Sequence, residues 1–290
     1  MTANERRSAF GKERTKQLKK YGVLTAEIKA KVIAILEAAQ AKIAAALAAS
    51  PTVAGQIQLT AARAEVIRTL EIVRSVTDAE LQLGAVKVWE LGIAMVEAPL
   101  AAAGVAMPAV LIDLQQIVAS TQQFLTRKIA DITDVVRKQI DAQLTFVLTG
   151  ASGQSDAINA IAAHLGGSRD RALTIARTEL GRVYSAATQA RLEQAVELEI
   201  PMQKQWRRSG KRHARASHNQ ADGQVRDVDK KFDIGGESLR YPRDPKASAA
   251  NTINCGCVML PHVATWAMLN PERQPLSAQE QTWRAAAQNK

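Results

Sequence analysis

Between Arg212 and Cys257 the chain concentrates residue types that can do chemistry: Arg215, His218, Asp222-Gly223, then Asn254 followed by Cys255-Gly256-Cys257. An imidazole, a carboxylate and two thiols are the groups from which metal sites, nucleophilic sites and buried polar networks are built. If His213 to Asp222 is helical, three- and four-residue steps place Arg215, His218 and Asp222 on one face. Gly223 would then end the turn in a left-handed conformation, and Asp222 could orient the His218 ring.

Three readings of this constellation stay open. In the leading one, Arg215, His218 and Asp222 form a buried polar network, the Asn254 amide ties down a loop, and the cysteines fill space as small hydrophobes. In the second, zinc is held by Cys255, Cys257, His218 and either Asp222 or His213; the Cys-x-Cys spacing is tighter than the usual zinc-site gap and there is no second pair. The third is catalytic, with a cysteine nucleophile and His218 as base, or His218 and Asp222 in a metal-dependent nuclease. No nucleophile elbow, phosphate-binding glycine loop or metalloprotease helix accompanies it, so the chain reads as a non-enzyme with zinc as its one candidate cofactor.

Beside this segment runs a basic stretch. Lys204, Arg207, Arg208, Lys211, Arg212 and Arg215 occur with no acidic residue among them. A second basic run lies in Met1–Lys20, with Arg6, Arg7, Lys12, Arg14, Lys16, Lys19 and Lys20 against Glu5 and Glu13. With a formal net charge of +10, such runs suit a polyanion or an acidic protein surface. Lys204, Arg207, Arg208, Lys211 and Arg212 are the expected contacts to DNA or an acidic partner. Trp206, set among them, could stack a base, but in a chain only 4% aromatic it reads first as a core anchor.

The elements that must position these groups follow from patterning. The 290-residue length allows two domains, and alanine-rich, aromatic-poor sequence favours long helices. Ile28, Val32, Leu36, Ile43 and Leu47 form a stripe of helical period, broken at Ser50-Pro51. Val66, Ile67, Leu70 and Val73 begin another face, and Thr77 with Asp78 and Glu80 resembles the start of a further helix. A long helix is expected over Ala109–Leu148. Thr149–Gly153 reads as a linker and Gly166-Gly167 as a helix stop, with a final helix ending near Ile200-Pro201. Beyond lie short strands at Met202–Arg208, Val225–Phe232 and Cys257–Leu260.

The expected architecture is a mainly α N-terminal half, an elongated helical bundle over residues 1–150. A small α+β domain over 151–265 and a polar tail over 266–290 follow. Leu91–Ile112 carries Glu97 as its single charge and approaches the length of a membrane span. Pro99, Pro108, Gly92 and Gly104 interrupt it, which favours a buried helical hairpin over insertion in a membrane. Two cysteines in a chain this long do not suit a disulfide-built secreted domain, and Met1–Lys20 is too charged for a secretory leader, so a reducing cytoplasm is the expected site of synthesis.

Taken in order, Ala176-Arg177-Thr178-Glu179, Trp206, Arg215, His218, Asp222-Gly223, Phe232, Pro242, Asp244 and Asn254-Cys255-Gly256-Cys257 resemble the phage Mu F-like family of head morphogenesis, or minor head, proteins. The resemblance covers about Ala176 to Pro261, and Gly256 stands where a basic residue is more usual. It implies a low-copy virion protein inside the head near the portal, made in the host cytoplasm. The implied partners are the portal protein, a major capsid or scaffolding protein, and phage DNA bound without sequence preference. Against it stand two alternatives, a C-terminal enzyme and a membrane-active protein of DNA ejection acting through Leu91–Ile112.

Overall fold

The computed structural model describes residues 1–48, 56–108, 114–148, 151, 153–211 and 214–265. The break expected at Ser50-Pro51, most of the linker around Gly150, the end of the Leu91–Ile112 segment, Arg212, His213 and the tail lie outside the described residues. Four long helices come first: α1 (Ala3–Ala48), α2 (Gln56–Ala102), α3 (Leu114–Leu148) and α4 (Gln154–Glu197). Short elements follow: β1 (Met202–Arg207), α5 (Ala216–Gln220), β2 (Val225–Asp227), β3 (Phe232–Ile234), β4 (Glu237–Leu239), α6 (Ala249–Thr252) and β5 (Val258–Val263). The mainly α front and small α+β back expected from patterning are both present.

Two expected helix boundaries do not exist. Thr77 lies inside α2, and α4 runs through Gly166-Gly167 without a stop. Each glycine costs roughly 1 kcal/mol relative to alanine in a helix interior. Ile161 before the pair and Ala172 after it are both buried, so packing of the flanking face offsets that cost.

The chain forms two compact units, interleaved along the sequence instead of falling on either side of residue 150. The first gathers Met1–Thr25, Val86–Asp113 and Arg177–Lys290; the second gathers Ala26–Ala85 and Leu114–Ala176. Helices are the only regular elements of the second unit among its described residues. Its core is built from apolar stripes: Ile28, Val32 and Ile43 from α1, Val66, Leu70 and Leu81 from α2, Ile129, Val136 and Ile140 from α3, and Ile161 from α4. Its cross-helix ion pairs are solvent-facing, as between Lys31 and Glu80 at 2.8 Å and Arg169 and Glu37 at 3.2 Å.

The first unit holds the small sheet. Strand β1 is central, antiparallel to β2 on one side and β5 on the other, in the order β2-β1-β5. Strands β3 and β4 form a separate hairpin. Met202, Trp206 and Met259 from the sheet join Phe232, Ile234 and Leu239 from the hairpin in one core, with Phe10 of α1, Val96 and Leu100 of α2 and Leu192 of α4. Trp206 is fully buried as the core anchor, edge-on to Phe232 at 5.3 Å and to the His218 ring at 5.7 Å. Base stacking is therefore closed to it.

No helix among the described residues is long and apolar enough to cross a membrane. Within Leu91–Ile112, α2 continues past Pro99 to Ala102, and the lone charge Glu97 pairs with buried Arg191 at 2.6 Å. Arg191 also donates to the Pro108 carbonyl at 2.8 Å.

Candidate functional site

The site forms where α5 meets the loop before β5. After β1 the chain turns into α5, and Gly223, at φ 84°, ends that turn in the left-handed conformation read from Asp222-Gly223. The helix is only five residues long, so the single face expected for Arg215, His218 and Asp222 does not develop. The three side chains go to different partners. Arg215 donates to the Ile253 carbonyl at 2.8 Å. Asp222 accepts from the Arg208 backbone N–H at 2.9 Å and from Arg208 Nε at 3.1 Å. His218 turns away from Asp222 to the cysteines, its Nδ1 lying 3.4 Å from Cys257 Sγ and 3.5 Å from Cys255 Sγ. The expectation that Asp222 orients His218 is thus corrected.

Asn251 takes that role, and patterning gave no sign of it. Its Nδ2 donates to the Ile234 carbonyl at 3.3 Å, which turns its Oδ1 toward His218 Nε2 at 3.1 Å. Nε2 is then the ring donor, and Nδ1 is the atom presented to the sulfurs. All four side chains are buried. His218, Cys255 and Cys257 are the group among the described residues that could hold a metal, with their ligand atoms within 4.8 Å of one another. Asp222, engaged with Arg208, is not one of them, and His213 lies outside the described residues.

The two thiols do not share charge equally. The hydrogen bond from Cys257, with help from His218 and the Arg243 guanidinium, holds Cys255 far below the usual thiol range despite its burial. The same contact with Cys255, together with burial, pushes the Cys257 thiol up. The Cys257 backbone N–H also points to Cys255 Sγ at 3.4 Å.

A ring of basic groups fixes the cysteine loop. Arg243, buried and at φ 67°, donates through Nε to the Cys255 carbonyl at 2.8 Å and through Nη1 to the Gly181 carbonyl at 2.8 Å. A Cβ at position 181 would fall 2.2 Å from Arg243 Cζ, so glycine is required for the guanidinium to reach that carbonyl. Asn254, at φ 55°, accepts from Arg177 at 2.6 Å and from Lys211 Nζ at 3.2 Å through its side-chain oxygen. Its backbone N–H donates to Thr178 Oγ1 at 2.9 Å. The Ala176–Glu179 motif of α4 is thus a clamp on the cysteine loop through Arg177 and Thr178. A cavity of about 170 Å³ remains, lined by Lys211, Arg215, Asn254, His218 and both cysteines. At Gly256 an added Cβ would approach Ser209 Cβ to 2.8 Å and Lys211 Cε to 3.0 Å, leaving no ready space for a larger residue.

The basic stretch beside the site is not a continuous surface. Met202, Lys204, Trp206 and Arg208 share one parity, and β1 turns that side into the core. Lys204 is buried with its ammonium on Gln189 Oε1 at 3.1 Å and the Arg240 carbonyl at 2.8 Å. Arg208 is buried against Asp222. Lys211 is turned to Asn254 and Arg207 is partly exposed 3.6 Å from Asp222, while Arg212 lies outside the described residues. Lys204 and Arg208 are therefore structural cations, and the expectation that they contact DNA is corrected. The period-two pattern around Trp206 was the signal that could have shown it.

Residues 138–260 match the family model described as Phage Mu protein F like protein. An NAD(+)–arginine ADP-ribosyltransferase, EFV, of Enterococcus faecalis is 41% identical over 90 residues, which are 31% of this chain and 18% of that protein. An uncharacterized protein, YqbB, of Bacillus subtilis is 39% identical over 111 residues, 37% of this chain and 35% of that protein. The aligned stretches thus span well under half of either relative. No solved structure matches the chain. The matched region holds α4, the sheet's central strand, α5 and the whole cysteine–histidine cluster, and over residues 138–260 the chain is similar to the phage Mu F-like family.

Proposed function

We propose that the chain is a minor component of the phage head, lying inside the capsid beside the portal and acting in head assembly and in DNA packaging or delivery. The family match over residues 138–260 carries this reading. The site supports a non-enzymatic role: its charged side chains hold backbone carbonyls, a loop amide and one another, which is the work of a clasp. The helical unit supplies long faces for docking to the portal or to a capsid or scaffolding protein.

DNA or acidic-partner contact moves, in this proposal, from the β1 run to the N-terminal part of α1. There Arg6, Lys12, Lys16, Lys19 and Lys20 are exposed, whereas Arg14 is turned inward to the Pro261 carbonyl at 3.0 Å. Such contacts are indifferent to base sequence and weaken as salt rises.

The test is to locate the chain in intact particles by cryo-electron microscopy with a fused density tag. Tag density at the portal vertex, at a few copies per particle, is the expected result. Density spread evenly over the shell, or particles without the protein, would overturn the proposal. Retention on DNA at low salt should fall when Lys12, Lys16, Lys19 and Lys20 are changed together to Glu.

A further inference from the structure

We propose that Cys255, Cys257 and His218 bind a single zinc ion that staples α5 to the loop preceding β5, with a fourth coordination position open to the adjoining cavity. Four independent features of the cluster support it.

The first is distance. Ligands around a tetrahedral zinc, with Zn–S near 2.3 Å and Zn–N near 2.1 Å, stand about 3.5 Å apart for a sulfur–nitrogen pair. His218 Nδ1 lies 3.4 Å and 3.5 Å from the two sulfurs. The second is the orientation of the imidazole. Zinc-bound histidines donate their other ring N–H to a fixed acceptor, and Asn251 Oδ1 is that acceptor at 3.1 Å, itself anchored through Nδ2 to the Ile234 carbonyl. Asn251 is thus a positioning residue for the metal.

Charge is the third. Two thiolates buried side by side without a cation would be costly. Zinc with two thiolates and a neutral imidazole is electrically neutral and suits a buried position. The fourth is access. The cavity of about 170 Å³ touches all three ligand side chains, so a water can complete the coordination sphere. No described carboxylate competes for that position, since Asp222 is engaged with Arg208.

The staple has a structural purpose. The ligands come from segments 37 and 39 residues apart, and α5 is too short to hold its own position. The site is independent of the proposed place in the virion, because it would be present in the isolated chain.

The experiment uses the full-length chain, purified with reductant and without metal-affinity resin. Elemental analysis should find close to one zinc per chain. Cobalt in place of zinc should give a thiolate-to-metal charge-transfer band and the visible absorption of a tetrahedral ion. Cys255→Ser and Cys257→Ser should each weaken the band. Asn251→Ala should retain the spectrum but lower zinc affinity by about 10–100-fold, an effect a purely structural asparagine would not produce. A helical, folded wild-type chain with neither zinc nor a cobalt–thiolate band would overturn the proposal, as would a band that survives both cysteine substitutions. If the cysteine variants do not fold, the wild-type spectrum and the Asn251→Ala affinity decide it.

Discussion

The two compact units solve the same problem by opposite means. The helical unit buries aliphatic side chains along helix faces and leaves its charges outside, where pairs such as Lys31–Glu80 meet across the helices in solvent. The unit containing the site buries charge: Arg191, Lys204, Arg208, Asp222 and Arg243 are all nearly or fully enclosed. A buried charge is tolerated only with partners, and each of these has named ones at hydrogen-bonding distance. Short strands and loops have few repeating backbone bonds of their own, so side-chain cations on backbone carbonyls do the work that helical hydrogen bonding does elsewhere. The lesson is that polar residues near the cysteines are there first to hold irregular backbone in place.

This contrast can be broken by substitution. The largest effect is expected from Asp222→Ala, which strands Arg208 in the core without its carboxylate. Loss of one partner of a buried pair costs about 3–5 kcal/mol, and urea denaturation should show it as a markedly lower midpoint. A midpoint near that of the wild type would mean that Arg208 escapes to solvent and the pair is not a core element.

Gly181→Ala comes next. Its Cβ would collide with the Arg243 guanidinium, which cannot keep its bonds to the Gly181 and Cys255 carbonyls. Overpacking of this kind costs about 1–3 kcal/mol. Reactivity of the cysteines toward a thiol reagent should rise as the loop loosens; unchanged stability and unchanged reactivity together would remove Arg243 from the clasp.

Lys204 provides a pH signature. Burial lowers its pKa to about 8 from the ordinary 10.5. The unfolded chain therefore binds more protons than the folded one between these values. The desolvation cost is fully present below about pH 8 and is relieved as pH rises toward 10.5. Wild-type stability relative to Lys204→Met should accordingly rise between pH 8 and pH 10, read as the difference in denaturation midpoints. A flat difference would place the ammonium in solvent and make it available to a polyanion after all.

Smallest of all should be Lys31→Ala in the helical unit. An exposed pair is worth less than about 1 kcal/mol, and that little should fade with added salt. A loss as large as that of Asp222→Ala would erase the distinction between the units.

Sequence by itself determined the helical front, the strands around Trp206, the turn at Gly223 and the family motif, because these rest on local periodicity, on single-residue backbone preferences and on residue order. As one of three open readings it grouped His218 with Cys255, Cys257 and either Asp222 or His213. It placed boundaries at Thr77 and Gly166-Gly167 that do not exist, since local capping and glycine penalties are small beside the packing of a continuous face. Tertiary structure alone decided the partners. That His218 faces the sulfurs and Asn251, that Asp222 serves Arg208, that Arg177 and Thr178 clamp Asn254, and that Lys204 points inward all depend on contacts between residues far apart in the chain. Side-chain type fixes what a group can do; only the surrounding fold fixes what it is pointed at.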